Sequence, residues 1–178
     1  MSEFGMRPSI EWMHKYFKNR EVKIAELGVF KGINAERFLT MLNVEELHLI
    51  DLWITPDNLK MQYNYDAFYK NVCEKFKDSS NIKLLREDTV SASKHYVDNY
   101  FDIVYVDADH SYEGCKRDIE AWYPKVKKGG VLVGHDYYCC GGVYKAVNEK
   151  FDSKFVKIFW DAVGMYDKRK YGEWAINK

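Results

Sequence analysis

Short apolar runs alternate with segments of helical periodicity along most of the chain. The runs are rich in valine, isoleucine and leucine and are bounded by turn residues, which is typical of strands in a parallel sheet that is covered on both faces. They occupy positions 23–29, 46–52, 81–87, 101–108 and 129–135. Apolar residues at helical spacing fill the intervals between them, and this alternation predicts an α/β fold built from βαβ units.

The two ends of the chain complete the predicted fold. Helices are expected at 9–18 and 142–151, and Asn34 is expected to cap the helix that follows the first strand. Near the end, two strand-like runs at 153–160 and 172–178 are joined by a polar loop too short for a crossover helix, which predicts an antiparallel hairpin. Residues 1–178 are therefore predicted to form one domain. Its fold is Rossmann-like, an open, mostly parallel seven-stranded sheet with helices on both faces and a C-terminal antiparallel hairpin.

Charge and hydropathy exclude several classes of partner. The 27 basic and 27 acidic residues balance, so no overall basic excess favours nucleic acid or an anionic membrane. No apolar run reaches about 18 residues and the first residues do not resemble a signal peptide, so a cytoplasmic protein is expected. The four cysteines are expected to be reduced. Their spacing does not predict zinc, because there is no C-x-x-C motif, and adjacent Cys139 and Cys140 with His135 are crowded for tetrahedral ligation.

The ends of the first two predicted strands carry a ligand-binding pattern. The first strand runs through Glu26, Gly28 and Gly32 into a helix, and glycines at such a turn allow close approach of a ligand. Asp51 ends the second strand about 20 residues beyond the turn, where an acid can accept hydrogen bonds from a ribose diol. A nicotinamide fingerprint needs glycine where Glu26 stands, so an oxidoreductase is disfavoured. An acid there suits a cofactor with a cationic amino-acid portion.

These residues resemble the class I S-adenosylmethionine-dependent methyltransferases over nearly the whole chain, from about residue 10 to the end. In that family an E-x-G-x-x-x-G turn lies beside the methionyl part of the cofactor, and an acid ending the second strand binds the ribose. The resemblance therefore implies that Glu26, Gly28, Gly32 and Asp51 bind S-adenosylmethionine. It also implies that Asp88 contacts the adenine side, although Asp88 could instead cap the following helix.

A second block narrows the resemblance. The segments VDADHSYEG and DIEAWYPKVKKGGVLVGHDYY resemble small-molecule O-methyltransferases related to macrolide-sugar and cephalosporin-pathway enzymes. In metal-dependent members, acids ending the fourth and fifth strands bind a divalent ion beside the cofactor, and a histidine three residues after the first acid is the base. Carried over, Asp107, His135 and Asp136 would bind Mg²⁺ or Mn²⁺, Asp107 would also face the cofactor, and His110 would be the base. His135 departs from the family pattern, which usually has an acid there, and imidazole suits Mg²⁺ poorly.

The resemblance implies methyl transfer to a hydroxyl of a small molecule, such as a sugar. The alternative is a non-catalytic S-adenosylmethionine-binding or assembly module of the same fold. No substantial extra segment is expected before the first strand or between the late elements, so the part of the protein that covers the substrate is expected to be small or to come from a neighbouring subunit in a homodimer.

Several nearby residues also have structural interpretations. His110 could be an exposed loop residue, and Asp109 is expected to cap the helix starting near Ser111. Asp118 and Glu120 are expected on a solvated helix face. Trp53 with residues 54–65 could form a wall or lid of the site. The aromatics Phe159, Trp160 and Trp174 are expected to serve packing.

Overall fold

A single seven-stranded sheet organises the computed structural model, which describes residues 7–54, 63–160 and 172–178. The strands are β1 (Glu21–Leu27), β2 (Asn43–Asp51), β3 (Ile82–Arg86), β4 (Phe101–Val106), β5 (Val126–Gly134), β6 (Lys157–Trp160) and β7 (Gly172–Asn177). The α-helices are α1 (Pro8–Phe17), α2 (Ile33–Met41), α3 (Tyr65–Phe76), α4 (Thr89–Ser93), α5 (Tyr112–Trp122) and α6 (Gly141–Lys150). The predicted α/β class is confirmed.

The strand order is β3-β2-β1-β4-β5-β7-β6, and the first five strands in this order are parallel. Strand β7 pairs antiparallel with both β5 and β6, which confirms the predicted C-terminal hairpin. Leu27 of β1 aligns with Ile50 of β2 and with Val106 of β4, and Val106 aligns with Gly134 of β5. The carboxyl ends of these four strands therefore form one edge, and the chain order reverses between β1 and β4, where open α/β sheets bind ligands.

Apolar side chains cover both faces of the sheet. One core cluster joins Ile24 and Ile103 of the sheet to Phe17 of α1 and Phe38 of α2. The other packs sheet residues against α5 and α6, with Trp122 and Trp174 fully buried. Trp174 thus serves packing as expected, whereas Trp160 is 56% exposed and stacks on Tyr138.

Two predicted helix caps are wrong. Gly32, with a φ of 73°, is the N-cap of α2, and Asn34 lies inside the helix with its Oδ1 accepting hydrogen bonds from Arg7 and Arg37. Ser111 is the N-cap of α5, where its hydroxyl accepts from the Gly114 N–H. Asp109 instead accepts from the Ser111 N–H, two residues along. Asn34 is therefore held by arginine side chains, whereas Asp109 makes a local hydrogen bond to the backbone.

Two further expectations differ from the structure. The run at 153–160 begins as a short 3₁₀ turn, and pairing with β7 starts only at Lys157. Trp53 is a core residue that is 1% exposed, and its indole N–H donates to the Phe30 carbonyl, so it does not form a lid. Residues 55–62 of the stretch considered as a wall or lid lie outside the described residues, whereas Tyr65 at its end lines the cavity described below.

Among the helices of the described ranges, none combines the length and the apolar character needed to cross a membrane.

Candidate active site

A cavity of about 910 Å³ opens at the carboxyl edge of the sheet, over the ends of β1, β2 and β4. Its walls contain five residues selected from the sequence: Gly28, Asp51, Asp88, Asp107 and His110. Glu26 is fully buried near this wall, and Gly32 caps α2. His135 and Asp136 do not line the cavity but are linked to it through Asp107 and His110. The fold thus brings the predicted residues to one edge.

The turn after β1 depends on a glycine. Gly28 has a φ of +85°, and a Cβ atom there would lie 2.1 Å from the Asp107 carbonyl oxygen. Only glycine combines this backbone conformation with such a close approach. The turn is held further by Asp51, whose Oδ2 accepts from the backbone N–H groups of Val29 and Phe30. Oδ1 accepts from the Trp53 N–H, so the carboxylate that faces the cavity has a defined orientation.

Glu26 is a buried acid whose pKa is raised by its surroundings. Its side chain is fully buried, and neither carboxylate oxygen has a hydrogen-bond partner within the described part of the chain. Burial, reinforced by the negative charge of Asp107, raises the pKa of Glu26 well above its ordinary value. The charge of Arg7 and the side chain of Asn34 act in the opposite direction, and a buried carboxylate in this position stabilises a further positive charge brought close to it.

Arg7 lies directly before α1 and was not selected from the sequence. Its Nη2 is 3.5 Å from Asp107 Oδ2, and its Nε donates to Asn34 Oδ1 at 3.0 Å. Its Nη1 lies 4.0 Å from Glu173 Oε1, a fully buried carboxylate on β7. Arg7 is distant in sequence from all these partners, and no local motif marks it, so only the folded chain reveals this cation in the cavity wall.

Two acids and two histidines meet where β4 and β5 end. His110 Nε2 lies 3.1 Å from Asp136 Oδ2 and 3.4 Å from Asp107 Oδ1. His135 Nδ1 lies 3.2 Å from Asp136 Oδ2 and 3.8 Å from Asp107 Oδ1. The Asp136 backbone has a φ of 60°, a left-handed conformation that places this carboxylate beside both rings. The His110 side chain is 43% exposed, so it is both held and accessible.

The charges of this cluster shift the pKa values of His110 and Asp136. The hydrogen bond with Asp107 raises the pKa of His110, and the charge of Asp136 adds to this although burial opposes it. Burial alone would raise the pKa of Asp136, but the hydrogen bond and charge of His135, with the charge of His110, hold it well below its ordinary value. Asp136 is therefore an anion at neutral pH.

Asp118 was predicted on a solvated helix face, and this prediction is wrong. It is 2% exposed, lines the cavity from α5, and accepts a hydrogen bond from the Thr89 hydroxyl. Burial raises the pKa of Asp118 to about 6, although the hydrogen bond with Thr89 acts in the opposite direction. The spacing contained the signal, because Asp118 is three residues after Cys115 and four before Trp122, on the buried face of the helix.

Asp88 adopts the structural role that the sequence left open. Its Oδ1 accepts from the Ser91 N–H and caps α4, while the residue also lines the cavity. The cap does not exclude contact with a ligand, because each carboxylate oxygen has more than one acceptor site.

Residues 25–137 match the family model described as a methyltransferase domain. An uncharacterized protein, R132, of Acanthamoeba polyphaga mimivirus is 25% identical over 132 residues, which cover 72% of this chain and 57% of that protein. The uncharacterized protein y4gI of Sinorhizobium fredii is 25% identical over 137 residues, 75% of this chain. The chain thus spans little more than half of the first relative and 14% of the second.

Solved structures share the fold at low sequence identity. The N-methyltransferase NodS from Bradyrhizobium japonicum has a TM-score of 0.64 at 16% identity, with 94% of this chain and 93% of that chain covered. A putative caffeoyl-CoA O-methyltransferase from Staphylococcus aureus has a TM-score of 0.64 at 12% identity, with 99% and 87% covered. Spermidine synthase from Thermotoga maritima has a TM-score of 0.63 at 14% identity, with 94% and 58% covered. Since the family model spans residues 25–137, well over half of the chain, the chain belongs to this methyltransferase family, which confirms the resemblance to the class I S-adenosylmethionine-dependent methyltransferases.

Proposed function

We propose that this chain transfers a methyl group from S-adenosylmethionine to a hydroxyl group of a small molecule such as a sugar, with His110 as the general base. The observation that carries the proposal is the position of His110 at the cavity, where its Nε2 faces the carboxylates of Asp107 and Asp136. A histidine oriented by carboxylates is a common general base.

The residues of the cavity fit the cofactor. Asp51 faces the cavity and is oriented by three backbone N–H groups, which leaves about one of its four acceptor sites for a hydroxyl of a ribose diol. The buried carboxylate of Glu26 favours the cationic amino-acid portion, and Gly28 leaves space where a side chain would fill the turn. The bound cofactor supplies an electrophilic methyl group on its sulfonium sulfur.

His110 moves the proton in this proposal. Because Nε2 faces two acids, it carries a proton and donates toward them, which leaves Nδ1 as the nitrogen that accepts the proton of the acceptor hydroxyl. The two carboxylates stabilise the imidazolium that forms. General-base help of this kind contributes about 10²- to 10⁴-fold to the rate.

Asp107, His135 and Asp136 would hold a divalent cation. One ligand atom from each lies within 4.8 Å of the others, and two carboxylates with one imidazole suit Mn²⁺ better than Mg²⁺. When bound, such an ion lowers the pKa of an acceptor hydroxyl. The residues themselves carry a net negative charge that attracts the ion.

Calorimetry with S-adenosylhomocysteine tests the cofactor site. We expect binding to the wild-type chain and a roughly 10- to 100-fold loss in Asp51→Ala, since a ribose hydrogen bond to a charged acceptor is removed. Asp98→Ala is the matched control, because Asp98 lies on the surface and pairs with Lys125. No binding to the wild-type chain at high concentration would refute the proposal.

Turnover separates an enzyme from a non-catalytic binding module. We expect that the wild-type chain converts S-adenosylmethionine to S-adenosylhomocysteine in the presence of an acceptor from a panel of hydroxylated sugars. His110→Gln should lose this activity while retaining its affinity for S-adenosylhomocysteine. Full activity in His110→Gln would show that the base is misassigned, and binding without turnover across the panel would favour the module.

A further inference from the structure

Two adjacent thiols lie beside the histidine and carboxylate cluster and have no role in the proposed reaction. Cys139 Sγ is 2.7 Å from Asp136 Oδ1, and the Sγ atoms of Cys139 and Cys140 are 3.3 Å apart. One ligand atom each from His110, Asp136 and Cys140 lies within 4.8 Å of the others. This set shares only Asp136 with the carboxylate-rich set formed by Asp107, His135 and Asp136.

We propose that His110, Asp136 and Cys140 form a binding site for a thiophilic divalent transition ion such as Zn²⁺. Zinc bound to nitrogen, oxygen and sulfur at about 2.0–2.3 Å places neighbouring ligand atoms about 3.3–3.8 Å apart. The observed 3.1 Å between His110 Nε2 and Asp136 Oδ2 requires only a small adjustment. A solvent molecule completes a tetrahedral site, and the Cys140 thiol releases its proton to solvent when the ion binds.

The packing of α6 brings the cysteine to the histidine. A Cβ atom on Gly142 would lie 2.5 Å from the Tyr112 nitrogen and 2.7 Å from the His110 carbonyl oxygen. The absence of a side chain therefore lets the first turn of α6 lie against the loop that carries His110. Gly141, the neighbouring residue, has no atom within 4 Å of an added Cβ. The arrangement of His110, Asp136 and Cys140 thus depends on one close approach between the first turn of α6 and the loop that carries His110.

The donor types select the ion. A thiolate and an imidazole favour Zn²⁺, Co²⁺ or Fe²⁺, whereas Mg²⁺ requires oxygen ligands. If the proposed function holds, an ion at this site uses His110 Nε2 and Asp136, so it withdraws the base and its partner from methyl transfer. Zinc is then an inhibitor of the reaction.

Cobalt spectroscopy tests the site without any assay of activity. Co²⁺ added to the reduced chain should give a near-ultraviolet thiolate-to-metal charge-transfer band, which stoichiometric Zn²⁺ removes by displacement. Cys140→Ser should lose this band, whereas Cys73→Ser, a change to a thiol on α3, should keep it. Absence of the band in the wild-type chain, or its persistence in Cys140→Ser, would overturn the proposal.

A pair of glycine variants tests the geometry independently. We expect Gly142→Ala to weaken Zn²⁺ binding by about tenfold or more, in the range typical of changes to residues that position metal ligands, and Gly141→Ala to leave it unchanged. Circular dichroism of both variants establishes that they fold. Equal zinc affinity in the two variants would contradict the role of the close approach. Binding of S-adenosylhomocysteine, measured on the same samples, reports on the proposed function separately from the cobalt band.

Discussion

The buried carboxylate of Glu26 destabilises the folded chain when it is ionised. Its pKa is raised well above the ordinary value of 4.5 by burial and by Asp107, so above about pH 4.5 the folded state binds this proton more tightly than the unfolded chain does. The stability that Glu26 contributes is therefore complete below about pH 4.5 and is lost as the pH rises toward the folded pKa. A residue that costs stability in this position is typical of a binding site.

Glu26→Gln should stabilise the chain and weaken cofactor binding. We expect the free energy of unfolding in urea to rise by about 1–3 kcal/mol at pH 8, because an ionisable buried group is replaced by a neutral one. The gain should shrink toward pH 5, and affinity for S-adenosylhomocysteine should fall. A variant less stable than the wild-type chain at pH 8 would mean that Glu26 has a compensating partner.

Gly28→Ala, in the turn between β1 and α2, should lower the free energy of unfolding by more than backbone strain alone would. Gly129 also has a positive φ, of +75°, but an added Cβ meets no atom within 4 Å, so Gly129→Ala measures the strain alone. We expect urea unfolding to show a loss of about 1–2 kcal/mol for Gly129→Ala. Gly28→Ala should lose clearly more, because its Cβ meets the Asp107 carbonyl. Equal losses would show that the turn can relax.

Helix α1 is attached to the sheet through one buried acid on β7. Glu173 Oε2 accepts from the Ser9 N–H, and Oε1 accepts from the Ser9 and Tyr105 hydroxyls. These hydrogen bonds satisfy a backbone donor in the first turn of α1 and position Arg7 at the start of the helix near Asp107. The terminal strand therefore supports the site although it contributes no residue to the cavity walls.

Glu173→Gln should destabilise this attachment. The amide introduces a donor where three donors already converge, so we expect a loss of about 1–3 kcal/mol in the free energy of unfolding. Glu120→Gln, on the exposed face of α5, is the control and should leave stability unchanged. An equally small change in the free energy of unfolding of both variants would indicate that water or a shift of α1 accommodates the amide at position 173.

The stability of the complete fold should depend on pH through His48 in β2. Its Nε2 lies 2.9 Å from Glu46 Oε2 and its Nδ1 lies 2.8 Å from the Tyr96 hydroxyl. Burial lowers the pKa of His48 below its ordinary value of 6.5, although the hydrogen bond with Glu46 acts in the opposite direction. The unfolded chain then binds more protons than the folded chain, so stability is lost as the pH falls below about 6.5.

A variant isolates this effect from other titrating groups. Between pH 7.5 and pH 5.5 the wild-type chain should lose more stability than His48→Gln, by up to about 1.4 kcal/mol per pH unit. His95→Gln, which changes a ring that is 55% exposed, is the control for the loss of a histidine ring. If the free energy of unfolding in urea changes with pH in the same way for wild type and His48→Gln, the buried His48 ring does not have a lowered pKa.

We also expect the domain to unfold as one unit, since both core clusters contain side chains of the same sheet. Urea transitions followed by tryptophan fluorescence and by far-ultraviolet circular dichroism should coincide. Separate midpoints would indicate that the terminal hairpin or another part unfolds independently.

Local patterns were sufficient to predict the strands, most helices and the edge where the site lies. Apolar periodicity depends on which face of an element is buried. Gly28 and Asp51 mark the ends of two strands, and these ends can be recognised without knowing which strands lie beside them in the sheet. The alignment of parallel strands then brings Asp51, Asp107 and Asp136 to one edge. The strands, most helices and the sheet edge that holds the site can therefore be predicted from residues that are close together in the sequence.

Only the tertiary structure reveals the contacts between distant segments. Arg7 reaches Asp107 across about 100 residues, and Gly142 allows α6 to approach the His110 loop, while neither leaves a periodic signal. The placement of Cys140 beside His110 likewise depends on how α5 and α6 pack. The physical reason is that close packing is set by pairs of surfaces, and a local pattern describes only one surface of each pair.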